Sequence, residues 1–152
     1  MQHAGFLGTA AAWSADLTLV LEIGMGLALL AGGWLARAKC YRAHAACQSA
    51  VVLLNGGLIA MTMIPSFRHQ VAPRLPRRIA KPYYALATAH GALGGIAELG
   101  GLYILLAAGT KWLPEKIRLR RYKLWMRSVL ILWWLVLLLG AATYARWYVP
   151  HR

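Results

Sequence analysis

Apolar residues in this chain are bunched instead of being spread at helical or strand spacing, and four bunches stand out, at 17–35, 45–64, 84–108 and 128–145. Each is near the ~20 residues that carry a helix across ~30 Å of hydrocarbon. Inside lipid every backbone N–H and C=O must be satisfied within the segment, so four helices joined by short loops is the economical reading. The expected fold is all-α, an integral membrane four-helix bundle, with residues 1–152 forming a single transmembrane domain.

Polar positions inside the bunches carry the next step. The third span holds His90 and Glu98, eight residues apart. At about 100° per residue they fall on the same half of a helix, and at about 1.5 Å per residue they lie about 12 Å apart along it. A charge in hydrocarbon costs roughly 2.5–3.5 kcal/mol or more, so such residues face a partner, a cofactor or water. In the second span Gln48, Asn55 and Thr62 recur every seven residues, a stripe that should face the bundle interior. His69 continues that stripe only if the helix survives Pro65, against which proline's missing N–H argues. The connection that follows, with Pro65, Pro73, Pro76 and Pro82, is expected to be irregular, exposed and somewhat stiff.

Depth sorts these groups. Glu22, Met61, Thr62, Met63 and His90 lie roughly 5–10 Å below one edge of the hydrocarbon, Glu98 and Asn55 lie near its middle, and His44 lies at the opposite edge. In the first cluster, His90 with His69, Met61 or Met63 could ligate a metal or haem, because imidazole and thioether suit both copper(I) and low-spin haem iron. Met61 and Met63 are about 200° apart on a helix, so at most one of them can share a site with His90. The plainer alternative is a hydrogen bond from His90 to Glu22 or Thr62. Glu98 reads either as a proton-relay carboxyl or as interhelical glue with Asn55, the second being favoured because no chain of acids continues to either surface. His44 beside Tyr41 and Arg42 is either a solvated interfacial histidine or a ligand. Gly91 and Gly95 form a GxxxG spacing that suits close helix packing, and glycine there also leaves room for a flat cofactor.

Charge adds topology. Ten of the 17 Lys and Arg residues lie on the side of the first and third loops and seven on the other, so the positive-inside rule places both termini outside. The tail before the first span has no Lys or Arg and so lacks the basic region of a secretory signal; that span is expected to be retained. A net charge of +13 invites a nucleic-acid reading, but the bases flank apolar spans and no nucleic-acid motif is present. Anionic lipid headgroups are the expected partners. Cys40 and Cys47 match no CxxC motif and are expected as free thiols. Trp13, Trp34, Trp112, Trp125 and Trp147 fall near span ends, as interfacial aromatic belts do.

The run Arg42-Ala43-His44 resembles the Lys-Ala-His start of the second helix in the four-helix membrane family catalogued as domain of unknown function 420. Tyr84 followed by His90 is similar to that family's aromatic-then-histidine start of helix 3, and Arg121, Trp125, Trp134, Gly140 and Tyr144 follow its pattern along helix 4. The resemblance runs from about Arg37 onward. It implies an accessory of a respiratory electron-transfer complex in the cell inner (cytoplasmic) membrane, with haem b or copper held through His44 and His90. The family's basic-His-basic start of helix 4 reads Arg121-Tyr122-Lys123 here, which removes an inner partner for His44, and its histidine ending helix 2 corresponds to the displaced His69. The alternative is a cofactor-free structural subunit packed against a larger membrane complex; a membrane-embedded enzyme or proton carrier using Glu98 stands third.

Overall fold

The computed structural model describes residues 5–110, 114, 116 and 121–149. Four helices long and apolar enough to cross a membrane account for most of them, making this a multi-pass, all-helical membrane protein. Helix α1 is Trp13–Arg37. The second span begins as α2, Tyr41–Leu58, passes through a π-helical turn at Ile59–Met63, and ends as α3, Ile64–Gln70. After a short 3-10 turn at Ala72–Arg74 come α4, Pro82–Gly109, and α5, Tyr122–Tyr148. Every helix outruns its apolar core because the flanking Trp, Tyr and Arg residues tolerate the headgroup level as well as they tolerate helix. Trp13, Trp34 and Trp125 are all exposed at such ends. Trp112, His3, His151 and much of the third basic loop lie outside the described residues.

The second span corrects two expectations. Helix persists through Pro65, which falls in the first turn of α3, where a missing N–H costs least. The π-turn just before it shifts the ladder, the Ile64 N–H reaching back to the Ile59 carbonyl. The connection after α3 is not wholly exposed either, since Val71 is 0% exposed and packs with Tyr84 and Ala87.

Consecutive spans run antiparallel. Contacts pair α1 with α2 and α4 with α5, and α1–α5 and α2–α4 contacts complete the ring. The start of α1, the end of α3, the start of α4 and the end of α5 therefore share one end, termed here the terminal end. At mid-depth Met25, Leu29, Val51, Val52 and Trp133 form the core. Close approach there uses glycine: a Cβ on Gly101 would lie 3.2 Å from both Trp133 and Val52, and one on Gly100 would lie 2.9 Å from Val129. Large apolar side chains such as Leu27, Leu53 and Ile131 face outward, as lipid-facing positions must.

Residues 5–12 fold back over the terminal end. The Gly5 N–H bonds the Ala11 carbonyl at 3.0 Å, and the Ala10 N–H bonds the Tyr148 carbonyl at 3.1 Å, which ties this segment to the last turn of α5. Asp16, 0% exposed, anchors it by accepting the Leu7 N–H at 2.8 Å and the Tyr144 hydroxyl, while Thr9 Oγ1 and Tyr144 Oη are 2.7 Å apart.

Candidate functional site

Between the two helix pairs lies a cavity of about 800 Å³ with largely apolar walls. It reaches the terminal end at Ala12, Gln70 and Tyr148 and descends to Met25, Asn55 and Trp133. This is the size of a site for a cofactor or small organic molecule, not for a few waters.

His90 is its main chemical feature. The hydrogen bond of the plainer alternative, to Glu22 or Thr62, goes elsewhere: Nδ1 is 3.0 Å from the carbonyl oxygen of Val136 on α5, and Thr62 Oγ1 donates to Leu58 O at 2.7 Å. A carbonyl can only accept, so Nδ1 carries a proton, and in the neutral ring Nε2 then keeps the lone pair, on a residue that lines the cavity. Donation of one ring nitrogen to a carbonyl is the arrangement that orients ligating histidines. Glu22 lines the same cavity and meets His90 over Gly140, where a Cβ would lie 2.9 Å from Glu22 Oε2 and 2.9 Å from His90 Cε1.

The π-turn sets the remaining wall. It presents the adjacent residues Thr62 and Met63 to the cavity and turns Met61 outward, 81% exposed. Of the two thioethers, Met63 alone shares the space with His90. His69 is exposed and is not among the lining residues, although its neighbours Arg68 and Gln70 are. Gly91 and Gly95 also line the cavity, and nothing lies within 4 Å of a Cβ built on Gly95. Their GxxxG spacing thus opens room in the bundle, while tight contacts fall at Gly100 and Gly101.

At the cavity floor Asn55 Nδ2 donates to Glu98 Oε2 at 2.8 Å, joining α2 to α4. Glu98 is 7% exposed, its Oε1 has no partner among the described residues, and that atom lies 3.0 Å from where a Gly56 Cβ would be. The geometry is that of a clasp. Asn55→Leu is expected to cost about 0.6–1.7 kcal/mol and Glu98→Gln less than about 0.6 kcal/mol, since an amide oxygen can accept the same bond. Thermal unfolding in mild detergent checks this; a loss from Glu98→Gln exceeding that from Asn55→Leu would contradict it.

At the opposite end His44 makes the same type of bond, Nδ1 to the Gly32 carbonyl on α1 at 2.8 Å, but it stands apart from the cavity. Cys47 donates to Ala28 O at 3.3 Å and Gln48 to Leu29 O at 3.4 Å, so this end is a polar seam between α1 and α2. Both cysteines are free thiols.

Sequence reasoning missed Asp16 and Arg68 and gave no role to Tyr144 or Gly140. Asp16 had a visible signal, being one of only four acidic residues and lying in the first turn of an apolar span. Among the described residues no three His, Cys, Asp or Glu side chains converge. A bare ion would rest on His90 with Met63 or Glu22. Haem supplies four equatorial nitrogens of its own and asks the protein for only one or two axial ligands, so an apolar chamber with one prepared imidazole fits it better. Comparison with protein families, with curated proteins and with solved structures finds no match for this chain.

Proposed function

We propose that this chain is an accessory protein of a respiratory electron-transfer complex, holding haem b through His90 in the outer half of the cell's cytoplasmic membrane, with both termini outside. One observation carries the cofactor reading: Nδ1 of His90 is committed to Val136 O, which leaves Nε2 as the lone-pair nitrogen of a residue lining an 800 Å³ apolar cavity. Met63 is the available second ligand, and Gly91 and Gly95 keep the α4 wall flat. Haem bound there supplies one-electron redox chemistry; the protein orients it and excludes water. The respiratory setting and a larger membrane complex as partner rest on the family resemblance, and the orientation rests on the ten-to-seven excess of basic residues.

The test is an optical spectrum with metal analysis of the protein purified in mild detergent after growth with haem available. A Soret band with about one haem per chain is expected, and His90→Ala should reduce haem occupancy by about tenfold or more, since losing even the group that orients a ligand costs about that much. Stoichiometric copper without a Soret band would replace haem by copper at the same residue. A colourless, metal-free preparation that also takes up no added haem would overturn the reading.

A further inference from the structure

We propose that Arg68 binds the anionic edge of the ligand held in the cavity, so that a haem enters with its carboxylates at the terminal end and its iron toward His90. This rests on the haem reading above. Five Lys and Arg residues lie between 68 and 81, yet Arg68 is the only one of them that lines the cavity. Arg74 is turned away, Nη1 donating to the Gln70 carbonyl at 3.3 Å. Among the described residues nothing pairs with Arg68. The carboxylate of Asp16 is enclosed by Leu7 and Tyr144, and Glu22 lies deeper, beside His90 and Gly140. An unpaired guanidinium thus stands at the rim of an apolar chamber whose lining includes no other Lys or Arg.

Position agrees with charge. Arg68 is two residues from the end of α3 and His90 is eight residues from the start of α4. At about 1.5 Å per residue these lie about 3 and 12 Å below the terminal end. Imidazole and guanidinium are therefore offset along the bundle axis by about 9 Å, with a long flexible side chain to close part of the gap. A flat ligand coordinated at its centre and charged at one edge spans such an offset; a purely apolar ligand would leave the cation unused. Carboxylates also match the planar donor fork of Arg better than that of Lys. Gln70 and Ser66, bonded to each other at 3.0 Å, add polar atoms to the same rim.

The experiment titrates the full chain in detergent with haem b and with haem dimethyl ester, whose carboxylates are capped. Arg68 is exposed at the rim, so wild type should bind the free acid tighter than the ester by about two- to fivefold, the range of a solvent-exposed ion pair. Arg68→Gln should remove that preference while keeping the ester affinity and the Soret position of wild type, because His90 is untouched; unchanged ester binding also shows that the variant folds. Arg68→Lys should retain part of the preference. Equal affinity for acid and ester in wild type, or a preference that survives in Arg68→Gln, overturns the role of Arg68 and leaves the haem reading standing. Failure of both porphyrins to bind wild type overturns both.

Discussion

Gly140→Leu is expected to abolish His90-dependent haem binding and to destabilise the bundle, because position 140 is where α1, α4 and α5 meet over the site. Even a single added Cβ would lie 2.9 Å from Glu22 Oε2 and 2.9 Å from His90 Cε1. The two neighbours differ in how they can yield. Glu22 Oε2 ends a flexible side chain and can rotate away. The imidazole is pinned by its bond to Val136 O, so it moves only by losing the interaction that fixes its protonated nitrogen. Overpacking of this kind costs about 1–3 kcal/mol. For Gly140→Ala roughly 1 kcal/mol is returned by better helix propensity, so its net stability change should be small while haem affinity still falls. Gly140→Leu gains nearly the same propensity, but its three further carbons deepen the overlap beyond what that returns. The control is Gly24→Ala, where nothing lies within 4 Å of the added carbon; it should be neutral or slightly stabilising and bind haem normally. Haem titration with thermal unfolding of the three variants decides the matter. Normal haem binding by Gly140→Leu would show that the contact over Gly140 does not position His90.

The same residue shows where sequence reading runs out. Apolar run length made the four spans legible, since lipid imposes a length and a composition on each crossing. The stripe of Gln48, Asn55 and Thr62 was legible for a related reason: polar groups in hydrocarbon must turn inward, and each does so here. Glycine carries no such constraint. Gly91 and Gly95 have the spacing of a packing motif and border a void, whereas Gly140 has no motif and makes the tight contact. Small residues mark where space matters without saying whether it is filled. The π-turn is equally hidden, with no cue beyond the nearby Pro65, and helical spacing alone leaves open which of Met61 and Met63 faces inward. Asp16 is conspicuous as an acid at the start of an apolar span, but its enclosure is not legible, because it depends on the fold-back of residues 5–12.

That enclosure gives the second large effect. Asp16→Ala removes a wholly buried acceptor and leaves the Leu7 N–H and one bond of the Tyr144 hydroxyl without a partner. Leu7 is exposed, so its freed N–H can turn to water, and Tyr144 still reaches Thr9; a loss of about 1–2 kcal/mol is therefore expected. Asp16→Asn keeps the shape and one acceptor oxygen, and should lose less. In a double-mutant cycle with Tyr144→Phe, the Asp16–Tyr144 coupling should fall in the range of about 0.5–3 kcal/mol that contacting, hydrogen-bonded groups show. Hydrogen exchange locates the damage: the amides of Gly5, Leu7 and Ala10 should lose protection together in Asp16→Ala, while mid-helix amides of α4 keep theirs. The segment ends at Ala12, which lines the cavity, so on the haem reading proposed above, loosening it should quicken haem release without moving the Soret band. Unchanged protection at Leu7 and Ala10 together with an unchanged release rate would mean that Asp16 does not hold the segment over the terminal end. Faster exchange with an unchanged release rate would confine its role to stability and place the exit of the ligand elsewhere in the bundle.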